Sequence, residues 1–254
     1  MAISDTARRN HDELLPNHRS TLAATDPELV EIFDNFAFDE VRALTKLDAR
    51  TRMVVTLAAI IGTHGVGEFS VMAGAALNVG VTPVELKEIV YQSVAYVGMA
   101  RAFDFIHAAN ELLTSRGVPL PLDGQSTTDP TTRHEKGLAA QKAIFGAAID
   151  DMYQRSPKDQ IHIQRFLSAN CFGDYYTRGG LDLQVRELVT LSILIALGGA
   201  DSQVKGHVRG NLNVGNSRDV LNDVITQLLP WVGYPRTLNA LGALNEIAPE
   251  AQSR

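Results

Sequence analysis

One histidine, His207, is the strongest candidate for acid–base chemistry in this sequence. Imidazole exchanges protons near neutral pH, which suits a general acid or base. Residues spaced three and four apart share one face of a helix, and that spacing places Gln203, His207 and Asn211 together with Gly206 and Gly210. Glycine costs roughly 1 kcal/mol relative to alanine inside a helix, so two glycines indicate that space is needed there, for close packing or for a ligand. The competing interpretation is a neutral core histidine bonded to a backbone carbonyl.

A second group of polar and aromatic residues precedes this histidine, in the segment CFGDYYTRGGLD at residues 171–182. Its glycines predict a loop, and binding residues are often carried on loops. Arg178 can bind a carboxylate through two parallel hydrogen bonds, and the hydroxyl groups of Tyr175 and Tyr176 can donate further ones. Cys171 is expected to line the site as a small apolar group. A surface arginine is the competing interpretation of Arg178.

The segments that must position these residues occur twice. Residues 47–57 and 181–191 agree at six of eleven positions, and the sequence Leu-Asn-Val-Gly appears both at 77–80 and at 212–215. The offset is 134 residues before an insertion in the second copy and 135 after it. Ordered agreement of this kind indicates a tandem duplication.

We therefore predict two homologous repeats, residues 1–120 and 121–254, with the active site in the second. The stretch from 116 to 132, rich in Pro, Gly, Ser, Thr and Asp, is typical of a linker. His207 has Met72 as its counterpart, so the first repeat is expected to serve as a scaffold. Arg186 matches Arg52, which favours a structural role common to both repeats.

Each repeat is predicted to be helical, which makes the fold class all-α. Asp48 and Asp182 are suitable N-caps for a largely apolar helix in each copy. In the first turn of the second copy's helix, Arg186 and Glu187 are expected to reach solvent. The next helix should end at a glycine in the left-handed conformation, Gly80 or Gly215. A third helix should then begin in each copy. It follows a capping box at Thr82–Glu85 in the first copy and a serine N-cap at Ser217 in the second.

Composition excludes several classes of protein. The 254 residues carry a net charge of −6 without a long basic run, so no nucleic-acid partner is expected. No apolar stretch reaches the roughly 20 residues of a membrane span, and the polar N-terminal residues predict no signal peptide. A cytoplasmic protein without a membrane partner is expected. Apart from His207, the histidines show no metal-ligand spacing, so no metal is predicted.

The C-terminal segments resemble the carboxymuconolactone decarboxylase family, in the all-helical AhpD-like superfamily. The family pattern is a Thr-Arg-x-Gly-Leu-Asp segment, an Arg-x-Leu-x-Thr-Leu helix and a histidine eight residues before a glycine. The resemblance is strongest over residues 166–239 and weaker over 36–113. The matching positions in the second repeat are Thr177, Arg178, Arg186, Leu188, Thr190, Leu191, His207 and Gly215.

The resemblance implies decarboxylation of a small lactone carboxylic acid such as 4-carboxymuconolactone, without metal or organic cofactor. His207 would then act as the general acid or stabilise a dienolate, and Arg178 would hold an anionic group. The resemblance also implies a homo-oligomer, with a trimer of two-repeat chains favoured. The residues expected to contact the substrate are Tyr175, Tyr176, Gln203, Arg186 and Cys171.

Three departures from the family pattern bear on activity. The peroxidase branch carries a Cys-x-x-Cys motif where this chain has Ala200 and Gln203, and a chain with one cysteine cannot perform dithiol chemistry. Gln203 also replaces a glutamate frequent in the decarboxylase branch, and Gly179 replaces a proline. Two alternatives stay open: another small-molecule enzyme such as an isomerase or hydrolase, and a non-catalytic assembly or binding protein. A cavity faced by both His207 and Arg178 would favour an enzyme.

Overall fold

The computed structural model describes residues 2–250, and every regular element in that range is a helix, which confirms the all-α class. None of these helices is both long and apolar enough to cross a bilayer. The elements are α1 (Asp5–Leu14), α2 (Pro27–Asn35), π1 (Phe36–Glu40), α3 (Val41–Leu44), α4 (Ala49–Gly62), α5 (Val66–Asn78), α6 (Pro83–Val97), α7 (Met99–Ser115), α8 (Arg133–Phe145), α9 (Ala148–Arg155), α10 (Ile161–Phe166), π2 (Leu167–Tyr176), α11 (Leu183–Leu197), α12 (Asp201–Asn213), α13 (Arg218–Val232) and α14 (Tyr234–Ile247).

The predicted helix ends are confirmed. The side chains of Asp48 and Asp182 accept hydrogen bonds from backbone N–H groups three residues on, and Ser217 does the same for α13. Both hydrogen bonds of the Thr82–Glu85 capping box are present. The glycines that follow α5 and α12 have φ values of +94° and +100°, the left-handed conformation expected of Gly80 and Gly215.

The loop predicted for residues 171–176 is wrong, because these residues lie in the π-helix π2. The glycine there serves close approach rather than a turn. A Cβ atom on Gly173 would lie 2.1 Å from the carbonyl oxygen of Arg133, and one on Gly137 would lie 1.9 Å from the carbonyl oxygen of Ser168. Backbone contact between α8 and π2 therefore fixes the position of π2, which carries Cys171 and Tyr176.

The two repeats share their core. Helix α4 of the first repeat packs against α11 of the second, and Gly62 permits the crossing because a Cβ there would lie 2.7 Å from the Cβ of Ala196. Val189 and Ile193 of α11 belong to the core of the first repeat, and Val55 of α4 belongs to the core of the second. The repeats form one packed unit along this crossing.

Two equivalent arginine–glutamine hydrogen bonds also join the two repeats. Arg186 donates from Nη1 to Oε1 of Gln92 at 2.9 Å, and its counterpart Arg52 donates to Oε1 of Gln227 at 3.5 Å. Each arginine thus binds a glutamine of the other repeat, as a shared structural role predicts. The expectation that Arg186 and Glu187 reach solvent is wrong: both are fully buried, because α11 lies between the repeats.

Candidate active site

Four helices bring a carboxylate, an imidazole and two phenols together in the second repeat. The pair at the centre is Glu187 on α11 and His207 on α12, with 2.9 Å between Oε2 and Nδ1. The remaining groups are Tyr176 from π2 and Tyr96 from α6, the latter a helix of the first repeat. This group, called the His207 centre below, is therefore assembled across both repeats.

The position of His207 fixes which ring nitrogen is available. Its ring meets Phe145 and Tyr96 edge to face, with centroids 5.3 and 6.2 Å away. Nδ1 faces the Glu187 carboxylate, so in the neutral ring the proton is assigned to Nδ1 and Nε2 carries the lone pair. Nε2 has no hydrogen-bond partner among residues 2–250, and 11% of the side chain is exposed. Nε2 is thus the nitrogen that can meet a substrate.

The Glu187 carboxylate is completely enclosed and held at both oxygens. Tyr176 donates its hydroxyl to Oε1 at 2.8 Å, opposite the contact with His207. Asn211 donates through Nδ2 to the backbone carbonyls of Glu187 and His207, at 3.1 and 2.8 Å, and so ties α11 to α12. A buried charge is stable only when paired and hydrogen-bonded, and this carboxylate meets both conditions.

One of the two glycines beside His207 makes room for this carboxylate. A Cβ on Gly210 would lie 2.6 Å from Oε2 of Glu187 and 2.9 Å from the side chains of Ile144 and Phe145. A Cβ on Gly206 would meet nothing within 4 Å. The space that the sequence indicated is therefore needed at Gly210, and it is filled by Glu187.

A line of hydroxyl and thiol groups extends from the carboxylate. Tyr96 donates to the hydroxyl of Tyr176 at 3.1 Å, and the Cys171 thiol lies 3.7 Å from the Tyr96 oxygen. Burial raises the pKa of both phenols well above the ordinary value and raises the pKa of the Cys171 thiol to about 12. All three groups are therefore protonated at neutral pH, and Cys171 is not a thiolate nucleophile.

Arg178 lies elsewhere. Its Nε and Nη2 atoms face the buried carboxylate of Glu88, at 2.9 Å from Oε1, and Glu88 also binds Arg186 at 3.0 Å. The guanidinium stands over the ring of Tyr91 and lines a cavity of about 420 Å³ in which His207 takes no part. The cavity that Arg178 lines is therefore not one that both Arg178 and His207 face, which is the arrangement that would have favoured an enzyme.

Two further predicted contact residues lie outside the centre. Gln203 is exposed and accepts a hydrogen bond from Ser202. Tyr175 is half-buried, and burial raises its pKa. Of the predicted substrate contacts, Tyr176 and Cys171 belong to the His207 centre, while Arg186 lies behind it on Glu88 and Gln92.

Sequence reasoning missed the roles of Glu187 and Tyr96. Glu187 sits twenty residues before His207 on a different helix, and only the all-round apolar character of α11 signalled that a charge there must be paired. Tyr96 comes from the other repeat, so no local spacing pointed to it. No cluster of three or more His, Cys, Asp or Glu side chains within the described part of the chain is arranged to hold a metal ion.

The fold and this site define an all-helical, tandem-repeat protein with a buried acid–base pair in one repeat. The family model of the carboxymuconolactone decarboxylase family matches residues 27–111 and 162–246. The chain belongs to this family and carries two copies of its domain.

Individual relatives agree with that assignment. The 4-carboxymuconolactone decarboxylase of Acinetobacter baylyi is 28% identical over 116 residues, which span 45% of this chain and 86% of that protein. A crystal structure of a candidate gamma-carboxymuconolactone decarboxylase subunit from Burkholderia xenovorans LB400 superposes with a TM-score of 0.55 at 22% identity. That match covers 93% of this chain and 94% of the other, and it shows the shared fold.

Proposed function

We propose that this protein decarboxylates a small lactone carboxylic acid of the 4-carboxymuconolactone type, with His207 as the proton donor. The observation that carries the proposal is the contact between the buried Glu187 carboxylate and Nδ1 of His207, which leaves Nε2 without a partner in the part of the chain that the structure describes. Family membership and the Acinetobacter relative supply the reaction class.

The reaction balances with one proton donor. Breaking the bond between the carboxylate carbon and the ring carbon releases CO₂ and leaves the electron pair delocalised into the lactone carbonyl as a dienolate. Nε2–H of the His207 imidazolium then protonates carbon to give an enol-lactone and a neutral imidazole. A proton from water restores the imidazolium. General acid catalysis of this kind contributes roughly 10²–10⁴-fold in rate.

The neighbours of His207 support that role. In the proposed step the ring carries a positive charge before the proton transfer, and the Glu187 carboxylate, 2.9 Å from Nδ1, stabilises that charge. Tyr176 holds the carboxylate in place, and Tyr96 holds Tyr176. The resulting fixed geometry keeps Nε2 oriented without reorganisation during the reaction.

The proposal is tested by supplying 4-carboxymuconolactone to the purified protein and measuring CO₂ release. His207→Ala should lose activity by at least about 100-fold, whereas His107→Ala, at an exposed histidine of the first repeat, should retain it. Full turnover by folded His207→Ala would remove His207 from the mechanism. Release of no CO₂ by the wild-type protein would overturn the named reaction.

The role that the resemblance implies for Arg178, holding an anionic group of the substrate, stays a prediction, and the cavity that Arg178 lines is not lined by His207. An Arg178→Lys protein with unchanged KM would remove it. Because His207 does not line the cavity of Arg178, a second candidate is also favoured, an isomerase that moves a proton on an uncharged lactone with the same His207–Glu187 pair. Isomerised product formed without CO₂ would identify that activity, and a folded protein with neither activity would leave the non-catalytic alternative.

A further inference from the structure

The cavity that Arg178 lines lies between α6, α7 and the linker, and His207 does not line it. Its volume is about 420 Å³, within the range of small-molecule sites. Apolar walls are formed by Ile106 and Leu122, and the polar groups come from Lys87, Tyr91, Asn110 and Arg178.

The cavity holds more positive than negative charge. The Glu88 carboxylate is already shared by Arg178 and Arg186. Lys87 is only 7% exposed, and its ammonium has no carboxylate within 4.0 Å among residues 2–250. Asp123 is the other acidic lining residue, and it is exposed at the rim. Among the described residues, Lys87 is therefore left without an anion, while Arg178 and Arg186 share the single carboxylate of Glu88.

The two cations of the cavity also have hydrogen-bond donors that no described residue uses. Lys87 donates one hydrogen bond, to Oδ1 of Asn110 at 2.6 Å, out of three that an ammonium can donate. Nη1 of Arg178 has no partner within the described residues, since its other nitrogens face Glu88. Both cations stand over the ring of Tyr91, 5.0 and 5.3 Å from its centroid. Burying an ammonium without an anion is costly, and burial lowers the pKa of Lys87.

These charges are particular to this side of the molecule. The repeat-equivalent positions of Lys87, Tyr91 and Arg178 are Asn222, Thr226 and Leu44. The second copy thus lacks both cations and the aromatic ring, so the duplicated scaffold does not require Lys87, although Arg178 also pairs the buried Glu88 carboxylate.

The linker closes the cavity and is anchored to the second repeat. Gly179 donates its N–H to the carbonyl of Gln125 at 2.9 Å, and the Thr127 hydroxyl donates to the carbonyl of Thr177 at 2.7 Å. A Cβ on Gly179 would lie 2.6 Å from Oε1 of Gln125. The linker wall therefore has a fixed position over the cavity.

We propose that this cavity is a second ligand site, which binds a small organic carboxylate through Lys87 and Arg178 and holds its apolar body against Ile106 and Leu122. The site is distinct from the His207 centre and does not depend on the proposed reaction.

Calorimetric titration with benzoate, benzamide and inorganic phosphate tests the site. Benzoate should bind, benzamide should bind at least about 10-fold more weakly because it lacks the charge, and phosphate should bind more weakly because it lacks an apolar body. Lys87→Met should raise the benzoate Kd at least about 10-fold. Lys87→Gln keeps a hydrogen-bond donor for Asn110, should show the same loss of affinity, and serves as the test if Lys87→Met fails to fold. Lys158→Met, at an exposed lysine, should bind benzoate as the wild type does.

Methyl NMR locates the probe. The Ile106 methyl resonances should shift with benzoate, whereas those of Ile144, beside Gly210 and Glu187, should not. No binding of benzoate at millimolar concentration, equal binding of benzamide, or unchanged affinity in both Lys87 variants would each overturn the proposal. Shifts confined to Ile144 would place the probe at the His207 centre and would overturn it as well.

Discussion

At the residue scale, the acid–base pair depends on a carboxylate that has no contact with solvent. Glu187 accepts from Tyr176 on one oxygen and faces His207 on the other. Removing its charge while keeping its shape separates the electrostatic contribution from packing. The amide of a glutamine fills nearly the same volume and still accepts a hydrogen bond.

Glu187→Gln should therefore lower turnover of a confirmed substrate by roughly 100-fold or more while the protein remains folded. The reason is that a neutral amide no longer stabilises positive charge on the imidazole. Steady-state kinetics and circular dichroism provide the measurement, with exposed Glu111→Gln as the matched variant. Turnover equal to wild type in Glu187→Gln would show that the carboxylate serves the fold alone.

The Cys171 thiol makes stability depend on pH. Its pKa is about 12 in the folded protein and about 8.5 in an unfolded chain. The unfolded state thus loses its proton first, so stability is complete below about pH 8.5 and falls as pH rises toward 12, by about 1.4 kcal/mol per pH unit. Between pH 8.5 and 10 the free energy of unfolding should drop about 2 kcal/mol more in wild type than in Cys171→Ala. The free energy of unfolding is measured by urea titration at pH 8.5 and at pH 10. An equal decrease in wild type and Cys171→Ala would contradict this prediction.

Sequence patterns identified His207 because the residues that signal it, the imidazole itself and the polar and glycine residues three and four positions away, all belong to one helix. They placed Cys171 and Tyr176 near it through their common segment. They could not supply Glu187 or Tyr96, since those contacts join different helices, and one of them joins different repeats. Arg178 was associated with His207 by its residue type and by the family resemblance, whereas in the structure it pairs with Glu88 and lines a cavity that His207 does not line.

At the element scale, α12 contains two glycines that differ in what surrounds them. Gly210 faces Glu187, and Gly206 faces open space. The sequence could not distinguish them, because both lie on the histidine-bearing side of the helix. Capping residues, in contrast, were read correctly, since Asp48, Asp182 and Thr82 act within a few residues of themselves.

Gly210→Ala should destabilise the protein by about 1–3 kcal/mol and lower turnover, because the added methyl group displaces the Glu187 carboxylate. Gly206→Ala is the matched variant, with the same substitution on the same helix. It should raise the free energy of unfolding by up to about 1 kcal/mol through helix propensity. Urea unfolding monitored by circular dichroism measures both, and equal effects of the two substitutions would refute the packing argument.

At the scale of the whole molecule, exposed apolar side chains repeat with the duplication. Met99 and Phe103 on α7 correspond to Tyr234 and Leu238 on α14, and all four are more than half exposed. The same holds near π1 and π2, where Leu29 and Ile32 in the first repeat correspond to Ile163 and Phe166 in the second. Apolar patches that recur in both repeats are typical of surfaces that pack in an oligomer.

We expect a homo-oligomer, with a mass three times the 27.6 kDa of one chain as the favoured value. Phe103→Glu should reduce that mass, because it places a charge in an apolar contact. Thr114→Glu, at an exposed site on the same helix, adds the same charge and should leave the mass unchanged. Light scattering after size-exclusion chromatography measures it, and a wild-type monomer would refute the expectation.

The methionines at the repeat-equivalent positions of the acid–base pair bear on the history of the duplication. Met53 and Met72 are both buried and stand where Glu187 and His207 stand in the other copy. A copy that began with the pair would lose it at least cost by giving up the glutamate first, since a neutral histidine is tolerated in a core and a lone carboxylate is not. Engineering the pair into the first repeat is therefore order-dependent. Met72→His alone should be accepted and Met53→Glu alone should not, so a second acid–base pair requires the histidine to be installed before the acid.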